Sequence, residues 1–98
     1  MSTKNLSLQI AIAEKAVDLF RQQQESRQAA HDLDDAYREH KEDLNLGHVV
    51  RNSPEWDAML AATTHEYGAL QRAKRQERNA QRRLDTAIRS FLGKEGQP

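Results

Sequence analysis

The chain has 98 residues, fifteen basic and fifteen acidic side chains, and no cysteine. Apolar residues make up 37% of the sequence and charged residues 31%, which predicts one small, elongated helical domain without a large core. The composition excludes disulfides, thiol chemistry and an apolar run of about 18 residues that would span a membrane. Without cysteine or a secretory signal, the sequence predicts a cytoplasmic protein.

A first helix is predicted over residues 7–44. Ser7 is a suitable N-cap, and the segment after it lacks Gly and Pro and is rich in good helix formers. One stripe runs through it in alternating steps of four and three residues, which is the 3.5-residue repeat of a left-handed helix pair. Its members are Ile12, Ala16, Leu19, Gln23, Ser26, Ala30, Leu33, Tyr37, His40 and Leu44.

Helix-forming sequence stops in a connector, residues 45–53, which contains two asparagines and a glycine. Ser53 before Pro54 predicts a helix N-cap followed by proline at the first helical position. At that position the missing N–H of proline costs nothing. We therefore expect the first helix to end before the connector, the chain to turn back, and a new helix to begin at Pro54.

The second helix is predicted over residues 54–92, followed by a flexible tail, residues 93–98. Gly93 stands at a good position for a C-terminal cap. Gly68, inside the helix, leaves a kink, a close helix approach or tolerance at an exposed site as open alternatives. The matching stripe contains Trp56, Leu60, Thr63, Tyr67, Leu70, Lys74, Glu77, Gln81, Leu84, Ile88 and Phe91.

The two stripes together predict a single all-α domain, residues 1–98, built as an antiparallel two-helix hairpin of long helices. When they are folded on each other, they turn polar at one level, where Ser26 meets Lys74 and Gln23 meets Glu77. Such a hairpin buries only one face of each helix, which barely offsets the entropy of the chain. We therefore expect a homodimer, or docking on a larger partner, to complete it.

The zero net charge conceals an asymmetry between the two halves. Residues 1–45 carry nine acidic and six basic side chains, and residues 46–98 carry six acidic and nine basic. Exposed pairs between the helices would each contribute only tenths of a kcal/mol, so charge helps to select the pairing without holding it together.

The basic side chains of the second helix form a candidate contact face. This face can pair with the acidic first helix, contact a partner protein or lie along nucleic-acid phosphates, although zero net charge weakens long-range attraction to nucleic acid. The arginines assigned to partner binding are Arg72, Arg75, Arg78, Arg82 and Arg83.

The connector supplies a second candidate contact surface, formed by Val49, Val50, Arg51 and Trp56. Tryptophan and arginine are the residue types most favoured at interface hot spots. Trp56 has two interpretations that remain open from the sequence, a plug at the end of the hairpin or an anchor for a partner.

No motif in the sequence predicts catalysis, a metal site or a cofactor. His65 and Glu66 begin an H-E-x-x-H pattern, but position 69 is alanine. Gly-rich phosphate loops and nucleophile motifs are absent from the sequence, and a two-helix rod offers its acidic run no pocket. We therefore predict a non-enzyme with no catalytic residue, no metal and no cofactor.

About half of the chain resembles a family of lambdoid-phage early proteins, the anti-RecBCD accessory proteins. The resemblance is carried by Asn52-Ser53-Pro54-Glu55-Trp56-Asp57, by Glu66-Tyr67, and by Ala73-Lys74-Arg75 with Asn79-Ala80-Gln81-Arg82-Arg83-Leu84. It implies a protein that binds the RecBCD nuclease-helicase of the bacterial host, modifies it and protects linear phage DNA ends.

Two alternative functions belong to other classes. One is a small helical nucleic-acid-binding or regulatory protein that uses the arginine face of the second helix. The other is a self-assembling structural helical bundle.

Overall fold

The structure, a computed structural model, describes residues 3–95. These residues form three α-helices and no strand: α1 (Thr3–Asp43), α2 (Pro54–Ala62) and α3 (Thr64–Glu95). The all-α prediction is therefore confirmed. The helix α1 begins earlier than the predicted residue 7, so Ser7 lies inside the helix and is not its N-cap.

The chain divides into two compact units. The terminal unit comprises residues 3–24 and 74–95, and the central unit comprises residues 25–73, among them the connector and α2. Each unit therefore combines a segment that precedes the connector with a segment that follows it. A helical hairpin requires such a combination, so the composition of both units is consistent with the predicted hairpin.

The end of α1 is set by an asparagine in the left-handed backbone region. Asn45 has φ 53°, its N–H donates to the Glu42 carbonyl at 3.1 Å, and the Leu46 N–H donates to the Lys41 carbonyl at 2.7 Å. This pair of bonds is the Schellman arrangement, which satisfies carbonyls that the last turn of a helix leaves free. Asparagine tolerates this conformation better than most residues, so Asn45 ends the helix.

The start of α2 follows the prediction. Ser53 is the N-cap, its Oγ accepts a hydrogen bond from the Trp56 N–H at 3.2 Å, and Pro54 occupies the first turn. The Ser53 hydroxyl also donates to the Val50 carbonyl at 2.6 Å. Just before it, Asn52 has φ 65°, the positive value that the third residue of a type II turn requires. The turn and the cap together fix where the new helix begins.

The predicted uninterrupted helix over residues 54–92 is wrong at Thr63, where α2 ends and α3 follows. Thr63 has φ −112° and ψ 18°, outside the helical region. Its hydroxyl donates to the Met59 carbonyl at 2.8 Å, and the Thr64 hydroxyl donates to the Ala61 carbonyl at 3.0 Å. Hydroxyls that bond back to the preceding turn bend helices, and two of them stand side by side here.

The predicted cap at Gly93 is also wrong, because α3 continues to Glu95. Gly93 does not adopt a positive φ, so it does not provide the left-handed turn of a C-terminal cap. The predicted tail, residues 93–98, therefore begins in a helix, and residues 96–98 lie outside the described part of the chain.

The buried seam of α2 and α3 keeps one of the two predicted heptad positions, to which Thr63 and Leu70 belong. At the other heptad position, the buried residue is one place closer to the N-terminus than predicted. The predicted residues include a charged and an amide side chain, whose burial would cost desolvation free energy, whereas the observed seam buries alanine there. The side chains buried at the shifted position are Met59, Ala73 and Ala80. Those predicted there, and exposed instead, are Leu60, Lys74 and Gln81.

The seam of α1 lies close to its predicted position. Leu19, Ser26 and Leu33 are buried as predicted. The other predicted heptad position is half-buried at Gln23, Ala30 and Tyr37 and exposed at Ala16. Its last predicted member, Leu44, lies beyond the end of α1 and is exposed. The 3.5-residue period is therefore correct in both long helices, while the predicted rotation about the helix axis is wrong only for α2 and α3.

Charge pairing between the helices is not observed within residues 3–95. The ion pairs that the structure describes there are all local to α1, where Asp18 pairs with Arg21 and Asp35 pairs with both His31 and Arg38. The expectation that opposite charges on the two halves would select the pairing is therefore not met by direct contacts.

Candidate functional site

The connector groove is a depression of about 490 Å³ in the central unit. Aromatic and polar side chains from α1, the connector, α2 and α3 contribute to it. The lining residues are Tyr37, Arg51, Trp56, Leu60, Thr63, Thr64 and Tyr67. The groove is open to solvent along one side, so it can receive a protruding side chain of a partner.

Two buried side chains, Val49 and Met59, lie in the same unit as the groove, and we name them the buried platform. Met59 is only 2% exposed and Val49 only 7%, so these two side chains fill the interior next to the connector. Trp56 is half-buried, and its backbone N–H is tied to the Ser53 cap. Trp56 also lines the groove, so its position is compatible with both predicted interpretations, a plug and an anchor.

The predicted connector contacts have different positions. Arg51 and Trp56 both line the groove, so the structure brings them together. Val50 is exposed but does not line it, and Val49 belongs to the buried platform. Val49 therefore supports the connector from inside and offers no exposed surface to a partner.

Five lining residues of the groove were not among the predicted contacts: Thr63, Thr64 and three larger side chains, Tyr37, Leu60 and Tyr67. The sequence places all three on the helix seams, where their apolar character predicts burial. Because the true seam is rotated, Leu60 is 39% and Tyr67 51% exposed. Two tyrosines close to a tryptophan and an arginine were the available signal, since these types are enriched at interfaces.

The predicted arginines divide between the two units. Arg75, Arg78, Arg82 and Arg83 belong to the terminal unit and are exposed. Arg72 belongs to the central unit, where its guanidinium lies close to Gly68, 3.4 Å from the position that a Cβ would take there. The helix α3 is unbroken at Gly68, so the interruption that this glycine left open is found at Thr63 instead.

Arg75, Arg78 and Arg82 form one stripe on the exposed side of α3. Their spacing of three and four residues places them on one face, opposite the buried Ala80. Among the described residues, none of the three is in an ion pair or a side-chain hydrogen bond. This arginine stripe, as we name it, is therefore available to a carboxylate or a phosphate group.

A second depression of about 380 Å³ lies in the terminal unit beside this stripe. Arg82 and Arg83 line it on α3, and Lys15 lines it on α1, together with small and apolar side chains. Lys15 was not predicted to take part in binding. It adds a third positive charge to this side of the terminal unit.

A third depression, of about 210 Å³, lies in the central unit and is lined mainly by polar side chains. His40 and Glu66 line it, and within the described residues neither the His40 Nε2 nor the Glu66 Oε2 has a hydrogen-bond partner. Across residues 3–95, no group of three or more His, Asp or Glu side chains is placed to hold a metal ion.

Comparisons with protein-family models, with curated proteins and with solved structures find no match to this chain. Within the described part of the chain, every helix is too short or too polar to cross a bilayer.

Proposed function

We propose that this chain is a non-enzymatic interaction protein of a phage that docks on the RecBCD-type nuclease-helicase of its bacterial host, in the host cytoplasm. The docking would modify the nuclease by steric or allosteric contact and protect linear phage DNA ends. The connector groove is the observation that supports docking, and the resemblance described above supplies the class of partner.

The groove has the composition of an interface hot spot. Tryptophan, tyrosine and arginine are the residue types that dominate binding energy, and Trp56, Tyr67 and Arg51 stand around one depression. The backbone of Trp56 is tied to the Ser53 cap and its side chain is half-buried, so part of its freedom is already lost before a partner binds. A protruding apolar or aromatic side chain followed by a carboxylate is the complementary chemistry, because Arg51 can bind the carboxylate.

The arginine stripe supports a second contact with the same partner. Exposed arginines bind carboxylates in pairs of parallel hydrogen bonds, and they steer an acidic surface towards the protein. We expect contacts in the groove to determine the dissociation rate of the complex. The arginine stripe should determine the association rate, because charges at the rim of an interface act mainly on association.

The test is direct binding between the purified chain and a purified RecBCD-type enzyme, measured by calorimetry, with degradation of linear duplex DNA as a second readout. We expect a stable complex and altered degradation. Trp56→Ala should raise the dissociation constant at least about 30-fold, since a hot-spot residue contributes about 2 kcal/mol or more. Changing Arg75, Arg78 and Arg82 to Glu should slow association.

Leu44→Ala is the matched control, because Leu44 is an exposed apolar residue of the central unit that does not line the groove. It should change the dissociation constant by less than about twofold. If Trp56→Ala lowers the melting temperature but leaves binding intact, Trp56 is a plug and the groove is not the docking site. An enzyme that neither binds the chain nor changes its activity excludes this class of partner.

The second candidate function is nucleic-acid binding through the arginine stripe, which the exposure and free guanidinium groups of Arg75, Arg78 and Arg82 favour. It predicts that the chain binds naked duplex DNA with an affinity that falls steeply as salt rises. Replacing one stripe arginine with glutamine should then reduce the salt slope by about one. Absence of DNA binding at low salt would exclude this function and leave docking on a protein.

The third candidate is association of the chain with itself, as a homodimer or a larger helical bundle. It is favoured by the large apolar side chains that stay exposed on α1, among them Ile10, Val17 and Phe20. Self-association and docking are compatible, because the connector groove belongs to the central unit and these three residues belong to the terminal unit.

A further inference from the structure

The outer face of α1 carries a second apolar stripe, which shares no residue with the predicted seam. Its members follow one another in steps of four, three, four and three residues, and all of them belong to the terminal unit. They are Leu6, Ile10, Ala13, Val17 and Phe20, all of them exposed. We name these five residues the outer stripe.

The outer stripe lies on the side of α1 opposite to its buried seam. At 3.6 residues per turn, Ile10, Val17 and their neighbours face about half a turn away from Leu19, which is buried in the interior of the unit. The terminal unit therefore cannot cover this face with its own helices.

The exposed apolar area is large for a chain of this size. The exposed fractions of the four large side chains range from 49% for Val17 to 60% for Phe20. Together they leave an apolar patch on the order of 300–400 Å², which is within the range where surface patches mark interaction sites. Two such patches together amount to about 600–800 Å², so the flanking residues would supply the remainder of the roughly 1,000 Å² that a specific interface needs.

The spacing of the stripe points to a long helix as its partner. A period of 3.5 residues keeps apolar side chains facing one neighbouring helix over several turns, as in coiled coils. The β-branched Ile10 and Val17 occupy one heptad position, and Leu6, Ala13 and Phe20 occupy the other.

The charged flank of the stripe, formed by Glu14, Asp18 and Arg21, carries a net charge of −1, and Arg21 already pairs with Asp18 within the chain at 4.0 Å. The apolar side chains, and not these charges, therefore favour the pairing.

We propose that the outer stripe is a self-association surface and that a second copy of this chain covers it. The proposal does not rest on docking to a nuclease, because it concerns a face of the terminal unit and is tested with the purified chain alone. A dimer would present two connector grooves and two arginine stripes to any partner.

The test is analytical ultracentrifugation of the full chain over a range of concentrations. We expect a monomer–dimer equilibrium for the natural sequence. The double variant Val17→Glu, Phe20→Glu should stay helical by circular dichroism and raise the dimer dissociation constant at least about 100-fold, because it places charges in the apolar seam. Leu92→Glu, which changes an exposed apolar residue of α3 in the same unit, should leave the equilibrium unchanged.

Cross-linking provides an independent readout that does not depend on a disruptive variant. The chain has no cysteine, so a single introduced cysteine reports its own neighbourhood. Ala16→Cys, beside the outer stripe, should give a covalent dimer with a short bismaleimide reagent, and Arg75→Cys, exposed on α3, should not.

Three results would overturn the proposal. One is a natural chain that remains monomeric up to about 1 mM, a concentration at which even weak complexes form. The second is a dimer that persists in the double variant. The third is equal disruption by Leu92→Glu, which would place the interface on α3.

Discussion

The two units share the 3.5-residue helical repeat but differ in how many side chains they bury. The central unit has a buried centre in which Leu33, Val49 and Met59 come from α1, the connector and α2. In the terminal unit, the described residues that are buried are Leu19 and Ala80 alone. Its large apolar side chains, such as Val17 and Phe20, are exposed.

The difference shows what a third element contributes to a pair of helices. Two helices in contact bury one face each, so apolar residues on any other face remain in water. In the central unit the connector folds Val49 inwards and allows Met59 to become almost fully buried. The terminal unit lacks such an element, which is why we assign its outer face to a second copy of the chain.

The largest expected loss of stability comes from truncating a buried side chain in each of the two units. Met59→Ala should lower the free energy of unfolding by about 2–5 kcal/mol, because Met59 is 2% exposed and its truncation leaves a cavity. Leu19→Ala in the terminal unit should cost about 2 kcal/mol, at the lower end of this range. Urea unfolding followed by circular dichroism measures both, and equal costs would show that the two interiors are equally well packed.

A smaller effect tests the connector, which distinguishes the central unit. Asn45→Ala should cost about 1 kcal/mol, because Asn45 has φ 53° and alanine is strained there. Asn45→Gly should restore most of this stability, because glycine adopts a positive φ without strain. Thermal unfolding of the two variants provides the measurement.

Gly47→Ala is the control for the connector. Gly47 has no positive φ, and an added Cβ would meet nothing within 4 Å, so the change should stay within about 0.5 kcal/mol. A large loss at Gly47 with none at Asn45 would show that the chain turns by a different backbone conformation.

The smallest effect is a gain in stability inside the central unit. Ser26 is buried, and among the described residues its Oγ has no hydrogen-bond partner. Ser26→Ala should therefore raise the free energy of unfolding by about 0.5–1 kcal/mol, because it removes a hydroxyl that has lost its water. Chemical denaturation measures the gain.

Ser7→Ala is the matched control, since Ser7 lies in the same helix and is exposed. It should change stability by less than about 0.5 kcal/mol. A loss of stability in Ser26→Ala would mean that this hydroxyl has a partner, such as a water molecule, and the central unit would then contain a satisfied polar position.

The sequence by itself determined the helical class, the 3.5-residue period and the point where α2 begins. These features depend on neighbours in the chain, because propensity, spacing and the Ser53–Pro54 cap act over a few residues. The same local chemistry made Arg51 and Trp56 recognisable as candidate contacts. The two threonines that interrupt the helix at Thr63 were also a local signal, which the prediction did not use.

Only the tertiary structure decided which side of α2 and α3 is buried. The predicted and the observed seam differ by one residue at one of their two heptad positions, and both contain apolar side chains. The choice between them depends on which side chains the facing helix can accommodate. The observed choice buries Ala73 and Ala80 and leaves Lys74 in water, because an unpaired buried charge costs far more than a lost apolar contact. This rotation places Tyr67 in the connector groove, which no local pattern in the chain could predict.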